Sequence, residues 1–183
     1  MLVLVAGPSG SGKGTLLAAS RAALAGDSRY SFVRRVITRP ARQGAEDYES
    51  ATDAEFEKRC AAGGFALHWR AQGVRYGVPS DVELDLAAGR TVVAKVSRVV
   101  IADAAARFPV SVVEITAPAD QLARRLAARG RDDAVDAARR LSRTTELPLP
   151  VEKEVVVNDG TVEQGTKRLL MALSRAASPD ARA

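Results

Sequence analysis

The stretch Gly7-Pro8-Ser9-Gly10-Ser11-Gly12-Lys13-Gly14-Thr15 constrains this chain more than any other. The apolar run Leu2 to Ala6 precedes it with the pattern of a buried strand, and an Ala/Leu-rich helix pattern follows from Gly14 to Ala25, stopping at Gly26. Glycines at such a junction let the backbone turn so that successive N–H groups point inward, and the helix start adds partial positive charge. A glycine-rich turn between strand and helix can exist without a ligand. The order strand, loop, lysine, helix is nevertheless the context that a phosphate-binding P-loop requires. Residues Gly7 to Thr15 are therefore the candidate ATP-binding loop, with Lys13 able to reach the β- and γ-phosphates during transfer. The usual motif places Ser or Thr directly after the lysine to hold magnesium. Here Gly14 stands there and the hydroxyl comes one residue later, at Thr15, which is read as facing a phosphate. No direct protein ligand to a metal is assigned, and Mg2+ is expected to be held through ATP and water.

Beyond the loop, helix and strand patterns alternate with short connections, the mark of an α/β protein with a mostly parallel sheet. Strands are expected at Phe32 to Ile37, in two pieces across Phe65 to Tyr76 broken at Gln72-Gly73, and at Thr91 to Val96, Val110 to Thr116 and Val155 to Val157. Thr52-Asp53-Ala54-Glu55 and Ser80-Asp81-Val82-Glu83 both have the form of a capping box opening a helix. Further helices are expected through Ala102 to Ala106, from Pro118 to Gly130, after Asp132-Asp133, and from Thr161 to Ser174. The expected fold is a three-layer P-loop NTPase domain over residues 1–176 with a frayed tail at 177–183. It carries an acceptor-binding insertion at about 34–80 and a lid at about 124–146.

Composition narrows the partners. No run of about eighteen apolar residues occurs, so no membrane span is expected, and the apolar start lacks the basic leader of a signal peptide. The single cysteine, Cys60, excludes an intramolecular disulfide and a cysteine zinc cluster, which fits a cytoplasmic protein. The net charge of +5 comes with many arginines and few, scattered aromatics. That balance favours a phosphorylated small molecule over nucleic acid, which wants a basic stripe with stacking rings. Neither an Asp-x-x-Gly nor an Asn-Lys-x-Asp guanine-reading signature appears. A small-molecule kinase that closes over two anionic ligands is the favoured reading.

Three stretches resemble the guanylate kinase-like P-loop kinases. Thr38-Arg39-Pro40-Ala41-Arg42-Gln43-Gly44 looks like that family's acceptor loop, and Gly73-Val74-Arg75-Tyr76-Gly77-Val78-Pro79 resembles its Gly-x-Tyr-Tyr-Gly segment. Arg125 to Gly130, followed by Arg139-Arg140-Leu141, looks like its lid, and Val156-Val157-Asn158-Asp159 is similar to its strand end near the adenine. The resemblance implies that Lys13, Arg125, Arg129 and Arg140 act in transfer, with Arg139 and Arg143 as alternatives, and that Asn158 belongs to the ATP site.

The base-reading positions of a guanylate kinase are not matched. Arg35 replaces a serine, Leu67 a glutamate and Ser97 an aspartate, while Lys95 stands where an acidic residue is common. Guanine presents N–H donors, which leucine cannot meet and arginine can only duplicate. What remains looks like the ribose 1,5-bisphosphate phosphokinase branch. Arg35-Val36-Ile37-Thr38-Arg39, His68-Trp69, Tyr76-Gly77-Val78 and Ser97-Arg98 all fit that branch. The resemblance implies ATP-dependent phosphorylation of ribose 1,5-bisphosphate to 5-phosphoribosyl 1-diphosphate in phosphonate catabolism. Its acceptor would be held by Arg35, Arg39, Arg42, Tyr76, Ser97 and Arg98, with Arg75 beside them. A nucleoside monophosphate kinase with altered base choice and a non-catalytic guanylate kinase-like module are the alternatives.

Other residues invite plainer readings. Arg124, Arg125 and Arg129 also match a solvated helix face, and Tyr48 lies closer to Gly44 than its counterpart in guanylate kinase. His68 is read as strand packing or a weak substrate contact, and Cys60 as a small packing residue. Glu46 and Asp47 could touch ribose hydroxyls or solvate a loop.

Overall fold

A computed structural model describes residues 1–40, 47–128 and 153–177. Its centre is a five-stranded parallel sheet in the order β2-β7-β1-β8-β9, formed by Tyr30–Phe32 (β2), Thr91–Lys95 (β7), Leu2–Ala6 (β1), Val110–Thr116 (β8) and Lys153–Val157 (β9). β1 is buried along its whole length because it lies mid-sheet and is covered on both faces, which is why it reads as an unbroken apolar run. On one face Val3, Val5, Val93, Val113 and Ile115 pack against Leu16 of α1 (Lys13–Ala23) and Leu169, Ala172 and Leu173 of the final helix, α6 (Val162–Ala177). On the other face Leu2, Leu4, Ala94 and Val112 meet Val82 of α3 (Val82–Ala87) and Ile101 and Ala104 of α4 (Ile101–Arg107). Helix, sheet and helix thus form the three layers expected of the fold.

A second, four-stranded sheet runs β4-β3-β6-β5, built from Glu49–Ser50 (β4), Val36–Ile37 (β3), Val74–Pro79 (β6) and Phe65–Ala71 (β5). Gln72 and Gly73 both adopt positive φ, 54° and 74°, giving β5 and β6 the two-residue turn whose twist matches a hairpin. The helix α2 (Asp53–Ala61) covers this sheet through Phe56, which stacks on Phe65 at 4.5 Å between ring centroids. Cys60 packs beside them, as a small core residue would. Ala66, Leu67, Trp69 and Val78 join the core under the parallel sheet, so the two sheets share one apolar interior.

Three local expectations change. The stretch from Phe32 to Ile37 is not one strand. Its ends pair in different sheets, β2 beside β7 and β3 beside β6, and residues 33–35 carry the chain across. The Ser80 capping box does not form. Asp81 is already helical at φ −61°, ψ −20°, and the helix opens on backbone bonds from Glu83 to Ser80 and from Leu84 to Asp81. The last helix continues past Ser174 to Ala177. The Thr52 box does form: its Oγ1 accepts from the Glu55 N–H at 3.2 Å, and Glu55 accepts from the Thr52 N–H at 2.7 Å. The helix expected after Asp132-Asp133 lies outside the described residues.

Candidate active site

The loop between β1 and α1 crosses the carboxyl edge of the parallel sheet, where open α/β sheets bind ligands. Its glycines are demanded by shape. Gly7, Gly10 and Gly12 have φ of 138°, 85° and 84°, a region that side chains rarely adopt. A Cβ at Gly7 would collide with the Ile115 carbonyl, and one at Gly12 with the Asn158 amide. Lys13 begins α1 and lies back along the loop, its Nζ donating to the carbonyls of Gly7 at 2.8 Å and Pro8 at 2.7 Å. Ser11 is fully buried, whereas Ser9 on the loop and Thr15 in the first turn of α1 are exposed.

Asn158 follows β9 and is buried. Its amide donates to the Ser11 carbonyl at 2.9 Å, and its N–H donates to Thr116 at 2.7 Å. The side chain expected near the adenine therefore braces the phosphate loop against the sheet. Arg125, on α5 (Ala119–Ala127), donates twice to the Asn158 carbonyl at 3.2 Å and once to Gln121 at 2.9 Å. Its neighbour Arg124 turns to solvent and pairs with Asp120. The two arginines thus divide as helical spacing allows, one toward the loop and one outward. Arg129, Arg139, Arg140 and Arg143 lie outside the described residues, as do Arg42 and Glu46.

On the acceptor side, Arg35 is buried where the chain passes between the sheets. Its guanidinium lies 5.9 Å from the Trp69 ring and 5.3 Å from the Tyr76 ring. Those rings are adjacent in the β5–β6 register and stack at 5.3 Å, within 8° of parallel. A cation held over two aromatic faces is stabilised by their quadrupoles while remaining positively charged. Next to Tyr76, Gly77 makes room for the Phe65 ring, which a Cβ there would strike. Arg39 sits over the Tyr48 ring at 5.0 Å, and the buried Tyr48 hydroxyl donates to the Pro40 carbonyl at 2.7 Å, an architectural bond.

Several expected contributors are engaged elsewhere. Arg75 points to α2, bonding Glu57 at 2.6 Å and Asp53 at 3.2 Å. Asp47 bridges Arg21 of α1 at 2.7 Å and Arg34 at 2.8 Å, and those two hydrogen bonds hold its carboxyl below the usual range. His68 is exposed on β5, with its ring centroid 6.5 Å from that of Phe65.

Ser97 and Arg98 leave β7 at the same sheet edge as the loop. Arg98 pairs with Glu114 of β8, whose other oxygen accepts from Lys153 at 3.1 Å. Burial alone would raise the Glu114 carboxyl, but the bonds and charges of Lys153 and Arg98 together hold it below its ordinary value. Glu114 escaped the sequence reading, although a carboxylate inside the run Val110 to Thr116 was the available signal.

No family model matches the chain. It is 48% identical over 173 residues to the ribose 1,5-bisphosphate phosphokinase PhnN of Methylobacterium radiotolerans, covering 94% of this chain and 96% of that one. It is 43% identical over 173 residues to the protein of the same name from Brucella abortus, covering 93% of this chain and 90% of that one. A bifunctional ribose 1,5-bisphosphokinase-thymidine phosphorylase of Cupriavidus necator is 48% identical over 171 residues, which is 92% of this chain and 28% of that longer protein. Among solved structures, guanylate kinase from Anaplasma phagocytophilum superposes with a TM-score of 0.72 at 22% identity, over 98% of this chain and 87% of that one, and shares the fold. A P-loop at the sheet edge, a guanylate kinase-like fold and near-full-length likeness to single-function relatives converge: the chain belongs to the ribose 1,5-bisphosphate phosphokinase family.

Proposed function

We propose that this chain transfers the γ-phosphoryl group of ATP to the 1-phosphate of ribose 1,5-bisphosphate, giving 5-phosphoribosyl 1-diphosphate and ADP, in the cytoplasm and within phosphonate catabolism. The observation that carries the reading is the 48% identity, over nearly the whole of both chains, to a relative bearing that kinase's name. The acceptor side supports it. Leu67, at the position of a guanine-reading glutamate, is part of the apolar core and offers no acceptor to a base. Arg35, in the position of a guanine-reading serine, brings a fixed positive charge instead.

The attacking atom is an oxygen of the 1-phosphate, anionic at neutral pH, so no general base is required. Its bond to the γ-phosphorus forms as the bond from that phosphorus to the β–γ bridging oxygen breaks, and ADP leaves. The protein's part is positioning and neutralisation of charge. Lys13 and the loop N–H groups would hold the β- and γ-phosphates, Lys13 exchanging its loop carbonyls for phosphate oxygens. Arg125 would close on the donor with Arg129 and Arg140. Arg35, Arg39, Arg42, Tyr76, Ser97 and Arg98 would hold the acceptor, with Glu114 orienting Arg98.

The described residues do not fit a protein-ligated magnesium. Glycine follows Lys13, Glu114 is already bonded to two cations, and no group of three or more His, Cys, Asp or Glu side chains is placed to hold an ion among them. Mg2+ would arrive on ATP and be held by phosphate and water. No helix among the described residues is long and apolar enough to cross a membrane, and neither membrane nor nucleic acid enters the reading.

Turnover with ATP and magnesium, comparing ribose 1,5-bisphosphate with GMP, AMP and dUMP, tests the proposal. We expect kcat/KM to favour the bisphosphate by at least about a hundredfold, and Lys13→Ala to lower turnover by roughly a hundredfold or more. Preference for GMP would make the chain a guanylate kinase. Failure to bind ATP in calorimetry would make it a binding module.

A further inference from the structure

Positions 14 and 95 depart from the usual pattern together, and the fold places them side by side. The residue after the P-loop lysine ordinarily supplies a hydroxyl to magnesium, and here it is Gly14. Lys95 occupies a position where guanylate kinase-like enzymes commonly carry an acid. Lys95 is the last residue of β7, opposite Val5 of β1, at the sheet edge that the loop crosses. Two residues earlier, Val93 packs on the α1 side of the sheet, so strand alternation sends Lys95 to that side as well. Its Nζ lies 3.6 Å from the point where a Cβ on Gly14 would stand. An ammonium group therefore borders the first turn of α1, where the helix itself favours anions.

Resting on the reading of Gly7 to Thr15 as the ATP site, we propose that Lys95 is a second phosphate-binding lysine, reaching the ATP phosphates from β7 where a hydroxyl and an acid ordinarily share a metal. Gly14 belongs to the same device. A side chain there would begin in van der Waals contact with Nζ, and glycine places none between the ammonium and the start of α1. A fixed ammonium then carries part of the neutralisation that magnesium otherwise supplies, and nucleotide binding depends less on the metal.

Calorimetric titration of the full chain with ATP, in excess magnesium and again in EDTA, reads this directly. Wild type is expected to bind in both conditions. Lys95→Met should lose about ten- to a hundredfold in metal-free affinity, with a smaller loss when magnesium is present. Lys95→Arg should recover most of the loss, and Lys95→Gln repeats the test should the methionine variant fold poorly. Combining Lys95→Asp with Gly14→Ser should make binding strongly magnesium-dependent. Metal-free affinity in Lys95→Met and Lys95→Gln equal to wild type would overturn the inference while leaving the kinase reading intact. Absence of ATP binding by wild type in both conditions would overturn the two together.

Discussion

Glu114 shows how one side chain can organise a sheet edge. Its two oxygens hold Arg98, which follows β7, and Lys153, which opens β9, so one carboxylate links the chain leaving β7 to the start of β9 across β1 and β8. Its side chain is 14% exposed, so the pair with Arg98 is sheltered from the solvent screening that weakens surface pairs. Because the folded carboxyl is held below its ordinary value of 4.5, its contribution to stability is present above that value. It is lost as pH falls through the lowered folded value. Urea midpoints measured at about pH 6 and about pH 3.5 should therefore fall further for wild type than for Glu114→Gln. Equal falls would mean that the carboxylate contributes nothing to acid stability. The same substitution should raise KM for the acceptor more than it lowers kcat, since Arg98 loses its anchor.

At the scale of elements, the most local devices are the most secure. The Thr52–Glu55 box satisfies two backbone donors at the start of α2, and Thr52→Ala should cost about 1 kcal/mol, lowering the melting temperature by about 2–4 °C. A drop well beyond that range would show that Thr52 also supports the second sheet. A matching box, Thr161 with Gln164, opens α6 with bonds of 3.0 and 3.2 Å, and its Thr-x-x-Gln spacing was there to be read. Local pattern likewise revealed β1, β8 and the phosphate loop, because an apolar run or a lysine among glycines has few folded solutions. The division of Phe32 to Ile37 between two sheets was not legible, since it depends on β7 and β6, which lie far along the chain. The bond from Asn158 to the Ser11 carbonyl spans 147 residues and was equally hidden. Candidate site residues could thus be named from the sequence, whereas their pairings could not, because tertiary contacts set them.

The whole molecule carries a formal charge of +5 and a pI near 9.8, and both proposed substrates are strongly anionic. Long-range attraction of this kind is screened over about 10 Å at 0.1 M salt. Raising salt from about 20 mM to about 200 mM should lower kcat/KM roughly three- to tenfold with little change in kcat. An unchanged kcat/KM would place the relevant charge only inside the closed site.

The central place of β1 has a consequence for synthesis. Its neighbours in the sheet are Thr91–Lys95 and Val110–Thr116, about a hundred residues later in the chain. At roughly 5–20 residues per second, a ribosome needs on the order of 5–20 s after making Leu2–Ala6 before the second partner strand exists. Throughout that interval the strand that is buried along its whole length in the finished enzyme is an apolar segment of the nascent chain without its sheet partners.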